Sequence, residues 1–354
     1  MMARDTKVAF VTGATGLLGN NLVRALLAEG VQVRGLARSA EKARQQFGAL
    51  DGLEIVQGDM EDVPGFAAAL AGCDTLFHTA AYFRDSYYGG RHWDKLKAIN
   101  VDATGQLMAA AYCAGIRQIV HTSSIAVVDG GKGQLVDESM KRPVEGADDY
   151  YRSKILSDRV VMAHLDRHPD CFGVFVMPGW MHGPGDRGPT AAGQFTLDFM
   201  RGKLPGIPPA TFAFVDARDV AQAEILALRH GGRGEHYLAA GRHVTMAELM
   251  RLYERTTGVA APGRGIPAAA LWLIAGVQEA VARLTGRPAL LSLAAVRNMR
   301  REFDRSRFDP AKSREVLGLS FRPMEETIAA EVAWYRDNGM LPAAPGRPGA
   351  AHPA

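Results

Sequence analysis

The chain has 354 residues, of which 47% are hydrophobic and 22% are charged. These values are typical of a folded globular protein and exclude a disordered or collagen-like chain. The net charge of +3 is spread along the sequence, so no nucleic-acid-binding surface is indicated. The length is sufficient for about two domains with a sizeable apolar core.

Short β-branched runs alternate with helical patterns through the first half of the chain. The runs lie at residues 8–11, 31–36, 53–56, 75–77, 118–121 and 173–177. This order predicts parallel βαβ units and an α/β fold, a Rossmann-type doubly wound parallel sheet. We expect the Rossmann domain to comprise residues 5–177 and 212–240.

The pattern changes after residue 178, where glycine and proline become frequent up to residue 209. From residue 244 to residue 341 the pattern is mostly helical. We expect residues 178–211 and 241–341 to form a smaller, mostly helical substrate-binding lid at the carboxyl ends of the strands. Residues 342–354 are predicted to be a disordered tail.

The first predicted strand runs directly into a glycine-rich turn, Thr12-Gly13-Ala14-Thr15-Gly16-Leu17-Leu18-Gly19. Gly13 permits a tight turn, Gly16 lets backbone amides approach a pyrophosphate, and Gly19 lets helix and strand pack closely. Because the pattern lies at a junction of strand and helix, it favours a dinucleotide site over a turn that serves structure alone.

The residues after the second and third strands bear on the choice of cofactor. No carboxylate follows the second strand, where Arg38 stands instead, with Arg34 or Lys42 nearby. An arginine there pairs well with a 2′-phosphate, so NADP(H) is favoured and NAD(H) is possible. Asp59 is placed to accept from the adenine amino group, with Met60 covering the ring. The alternatives are a solvated arginine and an ordinary turn aspartate.

Tyr150 and Lys154 are four residues apart and therefore lie on one face of a predicted helix. A free phenol has a pKa of about 10, so a nearby ammonium is needed to make it an acid-base group near neutral pH. Tyr151 is less well placed to share that lysine. The strand at residues 118–121 ends in hydroxyl residues, and Ser124 is suited to orient a carbonyl oxygen, although such serines also cap turns.

Together these motifs resemble the extended short-chain dehydrogenase/reductases, and within them the dihydroflavonol 4-reductase-like and 3β-hydroxysteroid dehydrogenase-like branch. The resemblance covers residues 6–341 and rests on these motifs: Thr12 to Gly19, Asp59-Met60, Phe77-His78-Thr79-Ala80-Ala81, Asn100-Val101, Thr122-Ser123-Ser124, Tyr150 to Lys154, and Pro178 to Pro184. Ala103 departs from the family pattern, which usually has glycine there.

The resemblance implies a catalytic triad of Ser124, Tyr150 and Lys154. It also implies that Thr79, Ala80 and the Pro178-Gly179 turn line the nicotinamide half of the cofactor. The residues predicted to bind the cofactor are Thr12, Gly13, Thr15, Gly16, Leu17, Leu18, Gly19, Arg38, Asp59, Met60, Thr79, Ala80, Ala81, Thr122, Tyr150, Lys154, Pro178, Gly179 and Met181.

Departures from the sugar-modifying members of the family bear on the substrate. Sugar dehydratases carry a glutamate where this chain has Ala126, and many epimerases carry an arginine and an asparagine in the region of Met177 and Trp180. We therefore predict a reductase acting on an aldehyde or ketone, or on the matching alcohol. The alternative is an NAD-dependent nucleotide-sugar epimerase, whereas a cofactor-binding protein without turnover is disfavoured by the triad.

An apolar pocket is predicted for this small-molecule substrate. Its predicted contacts are Tyr82, Phe83, Ser124, Trp180 and Phe214, with Met181, Phe195 and Phe199 in the same apolar set. Aromatic side chains also serve as core, which is the competing interpretation. A homodimer is possible.

Localisation and metal binding are predicted from what the sequence lacks. Cys73, Cys113 and Cys171 are widely spaced and form no metal-ligand grouping, which favours reduced thiols, a cytoplasmic protein and no metal site. No signal-peptide pattern precedes the first strand. The apolar run at residues 266–284 is interrupted before a span of about 20 residues, so no membrane span is predicted. Contact of that helix with a membrane surface stays open.

Overall fold

A parallel sheet of seven strands forms the centre of the protein. The structure, a computed structural model, describes residues 4–83, 92–285 and 293–343. The strands of this sheet are β1 (Val8–Thr12), β2 (Gln32–Ala37), β3 (Leu53–Gln57), β4 (Thr75–His78), β5 (Gln118–Thr122), β6 (Phe172–Pro178) and β9 (His236–Ala239). Their order is β3-β2-β1-β4-β5-β6-β9.

Every pair of neighbouring strands in this sheet is parallel. The strand order reverses between β1 and β4, and the carboxyl ends of strands at such a point form the crevice in which α/β sheets bind ligands. The predicted fold class is confirmed, and all six predicted strands are present. The seventh strand, β9, was not predicted.

Helices cover both faces of the sheet. The helices are α1 (Leu17–Ala28), α2 (Ala40–Phe47), α3 (Val63–Phe66), α4 (Trp93–Leu96), α5 (Ala103–Cys113), α6 (Asp149–Arg167), α7 (Ala191–Met200), α8 (Ala217–His230), α9 (Met246–Thr257), α10 (Ala268–Thr285), α11 (Leu293–Arg301), α12 (Ala311–Leu317) and α13 (Met324–Asp337). Alternate residues of β1 point to opposite faces. Val11 packs in a cluster with α1 and α8, and Phe10 packs in a second cluster with α5 and α6.

A second, three-stranded sheet takes two strands from the part of the chain predicted to be a helical lid and one strand, β8, from residues predicted to belong mostly to the Rossmann domain. It is formed by β7 (Trp180–His182), β8 (Thr211–Asp216) and β10 (Arg242–Thr245), in the order β10-β8-β7. A third apolar cluster joins this sheet to α7, α9 and α13. The lid therefore contains a small sheet as well as helices. The proposed domain limits stay a prediction, and residues 344–354 of the predicted tail lie outside the described residues.

Gly179 connects the two sheets, since it stands between the end of β6 and the start of β7. A Cβ atom at this position would lie 2.4 Å from the carbonyl oxygen of Ala213 and 2.7 Å from that of Ala240. No side chain fits at these distances, so glycine is required where the two sheets meet.

Candidate active site

The turn after β1 has steric requirements that only glycine meets. Gly13 has a φ of +67°, and a Cβ there would lie 3.0 Å from the backbone of Ala80. A Cβ on Gly19 would lie 2.2 Å from the carbonyl oxygen of Gly13. Helix α1 begins after Gly16, which provides no side-chain cap to the first-turn amides. The first-turn amides can therefore donate hydrogen bonds to an anion, and the helix dipole favours its negative charge. The turn thus fits a dinucleotide pyrophosphate.

The segment that follows β4 packs against this turn. The Thr79 hydroxyl donates to the carbonyl oxygen of Thr12 at 2.7 Å, and the Ala80 amide donates to the Thr12 hydroxyl oxygen at 3.2 Å. The Thr12 hydroxyl oxygen also lies 2.8 Å from Nδ1 of His78. Burial keeps the pKa of His78 well below its usual value, so the ring is neutral. Ala80 and the exposed Ala81 are thereby held at the edge of the glycine turn.

Further residues predicted to bind the cofactor lie in the glycine turn, at the end of β6 and on β7. Thr15 is half-buried within the turn, and Leu17 and Leu18 begin α1 with buried side chains. Pro178 ends β6, and Met181 lies on β7 with its half-buried side chain against the cluster that contains α1. The structure thus brings these residues to one edge of the sheet.

Arg38 is exposed directly after β2, and Lys42 is exposed near the start of α2. Arg38 has no ion-pair partner within the described residues. Arg34, in contrast, donates to Glu54 at 2.8 Å and to the carbonyl oxygen of Ala71 at 2.6 Å. The expectation that Arg34 assists Arg38 is therefore wrong, because those bonds hold its guanidinium across the sheet.

Asp59 and Met60 follow β3. The Asp59 carboxylate accepts from the Glu61 amide at 3.1 Å, as an ordinary turn aspartate does. Met60 is buried in the apolar cluster that contains Phe10 and Phe66. Contact of Asp59 and Met60 with an adenine ring stays a prediction.

Tyr150 and Lys154 lie in the first turns of α6, whose start is capped by Asp148. Ser124 lies just beyond β5, and its hydroxyl oxygen accepts from the Ala126 amide at 3.1 Å. The side chains of Ser124 and Tyr150 share a hydrogen bond. The structure therefore brings the two predicted hydroxyl groups together at the carboxyl edge of the sheet.

Burial raises the pKa of the Tyr150 phenol to about 12, and Asp148 and Asp158 add to this rise, whereas the hydrogen bond with Ser124 opposes it. The phenol is therefore protonated at neutral pH. The Phe83 ring meets the Tyr150 ring edge-on, with 4.7 Å between their centroids. Phe83 is thus placed directly beside the hydroxyl-bearing ring.

Lys154 is buried, and its ammonium donates to the carbonyl oxygen of Thr122 at 2.7 Å. The Thr122 hydroxyl in turn donates to the buried Glu224 carboxyl on α8. Burial lowers the pKa of Lys154 to about 8, while Asp158 and Glu224 act to raise it. Burial raises the pKa of Glu224 to about 8, opposed by Thr122 and Lys154. The lysine and the glutamate are therefore linked across the end of β5.

Sequence reasoning did not single out Glu224. The available signal was a glutamate among the apolar residues of a helix face, because Ala221, Ile225 and Leu228 surround it on α8 and are buried. Burial of a charged residue requires a partner. One of its oxygens accepts from Thr122, and Oε2 has no hydrogen-bond partner in the described part of the chain.

A second buried carboxylate, Asp158, lies one helical turn beyond Lys154. It accepts from the Ser123 hydroxyl at 2.6 Å and lies 3.3 Å and 3.2 Å from ring nitrogens of His121 and His236. Burial acts to raise the pKa of Asp158, but its bonds with the two histidines lower it below the usual value. Asp158 is therefore an anion that stabilises the charged form of Lys154.

Asn100 lies in a π-helical segment, Lys97–Asp102, and holds the chain near Tyr82. Its carboxamide oxygen accepts from the Tyr82 amide at 2.7 Å, and its nitrogen donates at 3.0 Å to the Tyr82 carbonyl and to the Ser153 hydroxyl. Such π-helical turns occur frequently at functional sites. Here the turn joins the predicted substrate residues Tyr82 and Phe83 to helix α6.

The remaining aromatic residues predicted to contact substrate differ in exposure. Trp180 is half-buried, and its ring lies 4.4 Å from that of Phe212. Phe214 is only 2% exposed and stacks on His182, with 4.5 Å between ring centroids. The core interpretation therefore applies to Phe214, because its ring has no free surface for a substrate.

A family model described as the NAD dependent epimerase/dehydratase family matches residues 9–240, which is more than half of the chain. This match includes the glycine turn, the Ser124 and Tyr150 pair, and Lys154. The chain belongs to the NAD dependent epimerase/dehydratase family. The predicted membership of the extended short-chain dehydrogenase/reductases is confirmed, and with it an enzyme that binds a pyridine nucleotide.

Three relatives in this family illustrate its range. The chain is 36% identical to "Sterol demethylase protein B" of Methylococcus capsulatus, over 94% of this chain and 99% of the relative. It is 33% identical to "Putative dihydroflavonol 4-reductase" of Synechocystis, over 94% and 95%. It is also 34% identical to "4-hydroxy-2-methyl-3-oxo-4-farnesyl-3,4-dihydroquinoline-1-oxide ketoreductase" of Stigmatella aurantiaca, over 73% and 75%.

The described residues contain neither a membrane-spanning helix nor a metal-binding cluster. None of the helices in ranges 4–83, 92–285 and 293–343 combines the length and the apolar character needed to cross a bilayer. In the same ranges, no group of three or more His, Cys, Asp or Glu side chains is arranged to hold a metal ion.

Proposed function

We propose that this family member is an NADP(H)-dependent reductase that converts an aldehyde or ketone to the alcohol through a triad of Ser124, Tyr150 and Lys154. The observation that carries this proposal is the hydrogen bond between Ser124 and Tyr150 at the carboxyl edge of β5, with the buried Lys154 one helical turn away. Relatives whose names include a reductase and a ketoreductase support the same reaction class.

Tyr150 donates the proton that the carbonyl oxygen takes up. Its raised pKa of about 12 means that the phenol carries this proton at neutral pH, which favours reduction over alcohol oxidation. Ser124 orients the carbonyl oxygen by a hydrogen bond. The glycine turn would hold the pyrophosphate of NADPH, Thr79, Ala80 and Pro178 would line its nicotinamide half, and the bound cofactor would supply the hydride.

Lys154 stabilises the phenolate that remains on Tyr150 after the proton has left. Its ammonium is fixed by the Thr122 carbonyl at 2.7 Å. The anionic Asp158, and Glu224 when it is ionised, act to raise the pKa of Lys154. A buried ammonium acts strongly on a nearby developing negative charge, because the low dielectric screens it little. The fixed position of Lys154 therefore contributes to catalysis without reorganisation.

The substrate we propose is a carbonyl compound with a mainly apolar skeleton. Phe83 contacts Tyr150 directly, and Tyr82 is held beside it by Asn100. Trp180 adds a half-buried ring at the start of β7. The names of two relatives, which refer to a sterol and to a farnesyl quinoline, are consistent with such a substrate class.

The experiment is a comparison of Tyr150→Phe with Tyr151→Phe, using NADPH oxidation in the presence of aromatic and aliphatic aldehydes and ketones. We expect Tyr150→Phe to lose at least about 1000-fold in kcat while its affinity for NADPH changes little. Tyr151→Phe is expected to retain activity. Turnover by Tyr150→Phe at the wild-type rate would contradict the mechanism. Net NADPH oxidation also separates a reductase from an epimerase, which regenerates its cofactor in each cycle.

A further inference from the structure

Helix α10 exposes a continuous apolar stripe. Leu273, Val277 and Val281 are 71%, 56% and 50% exposed, although each is a large hydrophobic residue. They are spaced four residues apart and therefore lie on one face of the helix, over a length of about 12 Å. The opposite face is already packed, because Leu271 and Ala275 are buried against α11.

No exposed polar side chain interrupts the stripe within residues 268–281. Within residues 268–281 every exposed position is apolar, namely Ala268, Ala269, Leu273, Val277, Ala280 and Val281. The polar residues Gln278 and Glu279 are half-buried, and Glu279 accepts from the Leu293 amide at 2.8 Å. A surface helix normally presents charged residues to water. Single exposed apolar residues are common, but a contiguous apolar face marks an interaction surface.

Arginines lie beside this stripe on the neighbouring helix. Arg297, Arg300 and Arg301 of α11 are exposed, and α11 contains no acidic residue. Among the described residues, Arg297 and Arg300 have no ion-pair partner. The two helices are packed together through Ala275 and Val296, so the arginines and the apolar stripe belong to one two-helix unit.

We propose that the exposed face of α10, together with the arginines of α11, binds the surface of an anionic lipid bilayer. An apolar helix face enters the boundary between headgroups and acyl chains, and adjacent arginines attract anionic headgroups. A second copy of the chain is a poorer occupant. In a two-fold contact the same surface meets itself, which would set the arginines of one copy near those of the other.

The bilayer-binding surface is connected to the loop that leads into α6. The Arg301 guanidinium donates to the carbonyl oxygen of Gly146 at 2.6 Å. Arg142 donates to the carboxylate of Glu302, with its two nitrogens at 3.3 Å and 3.2 Å. Tyr150 lies four residues after Gly146 in the sequence. A bilayer at α10 would therefore lie on the side of the protein that carries the loop before Tyr150. The proposed lipid contact itself does not depend on the proposed reaction.

The test is co-sedimentation of the full chain with vesicles of phosphatidylcholine alone and of phosphatidylcholine with phosphatidylglycerol, at low and at high salt. We expect binding to the anionic vesicles that weakens with salt. A triple variant, Leu273→Gln, Val277→Gln and Val281→Gln, should lower the partition coefficient at least about tenfold. A double variant, Arg297→Gln and Arg300→Gln, should lower it by about fivefold for each arginine.

The matched control replaces two exposed apolar residues outside the stripe, Leu135→Gln and Val316→Gln, which are 56% and 45% exposed. This control should bind like the wild type. Thermal unfolding and NADPH binding of every variant establish that it is folded. The proposal is overturned if the wild type does not bind anionic vesicles, or if the triple variant and the control bind equally. It is also overturned if light scattering shows a dimer that the triple variant dissociates and vesicles leave intact.

Discussion

Lys154 and Glu224 lie on helices that cover opposite faces of the sheet, yet both bond to the same residue, Thr122. The lysine donates to its carbonyl oxygen at 2.7 Å, and its hydroxyl donates to the glutamate. Each group shifts the pKa of the other toward the charged form. The charge state of Lys154 therefore depends on a buried residue of α8, on the opposite face of the sheet.

The variant Glu224→Gln tests this dependence. Glutamine keeps an acceptor for Thr122 but cannot ionise, whereas Glu224 becomes an anion near pH 8. The pKa of Lys154 should therefore fall below about 8 in the variant. Because Lys154 is needed as an ammonium, the alkaline decline of carbonyl reduction should move to lower pH, with rates up to about tenfold lower on that side. Rates of NADPH oxidation across pH check this. Glu235→Gln, which removes a carboxylate paired with Lys312, is the control, and an unchanged profile for Glu224→Gln would count against the link.

The pKa of Tyr150 predicts opposite pH dependences for the two reaction directions. The phenol is protonated below about 12, so reduction, which needs the phenol, should be flat up to the titration of Lys154 at about 8. Alcohol oxidation needs the phenolate and should rise about tenfold per pH unit over the same range. Initial rates with one aldehyde and its alcohol measure both profiles. A rise of reduction with pH would contradict the assignment of Tyr150 as the proton donor.

Arg38→Ala tests the preference for a 2′-phosphate. The exposed guanidinium after β2 is expected to contribute charge-assisted hydrogen bonds, so its loss should weaken NADPH binding by about 10- to 100-fold. The affinity for NADH should change less than about twofold. Fluorescence titrations with the two cofactors measure these affinities, and Arg34→Ala is the control, since that guanidinium bonds to Glu54. If Arg38→Ala weakened the binding of NADPH and of NADH equally, Arg38 would not bind the 2′-phosphate.

Gly19→Ala is expected to destabilise the fold by about 1 to 3 kcal/mol. Its added Cβ would lie 2.2 Å from the Gly13 carbonyl oxygen, so the glycine turn must shift. Urea unfolding measures the loss of stability, and NADPH and NADH should both bind more weakly. Gly276→Ala is the contrasting change in a helix, because no heavy atom lies within 4 Å of its added Cβ. It should increase stability by up to about 1 kcal/mol.

The main sheet was predictable because its strands are continuous β-branched runs separated by helices. The smaller sheet was not, since β7 and β10 are only 3 and 4 residues long and β8 leads directly into helix α8. β10 pairs with β8 and β8 with β7 over long separations in the chain. Strand β9 has 4 residues and, unlike β4 of the same length, lies outside the alternating first half of the chain. Short strands of this kind depend on tertiary pairing more than on local propensity.

Residues of the candidate site were predictable where a local pattern carries the constraint. The spacing of Gly13 and Gly19 predicts that backbone atoms of the turn approach each other closely. In the structure, a Cβ on Gly19 would meet the Gly13 carbonyl oxygen. Arg34 and Phe214 were misjudged for a different reason. The partner of Arg34 is set by the register of β2 against β3, and the exposure of Phe214 is set by packing on His182. Neither register nor packing can be read from the residues near them in sequence.

The close approach at Gly179 limits how members of this family can be recombined. The carbonyl oxygens of Ala213, within β8, and of Ala240, directly after β9, stand within 2.7 Å of where a Cβ would be. A chimera that takes only residues 178–211 from a relative would place a foreign Gly179 junction against these two native segments. Exchange of substrate preference between relatives therefore calls for transplanting Gly179, β8 and the turn after β9 as one block.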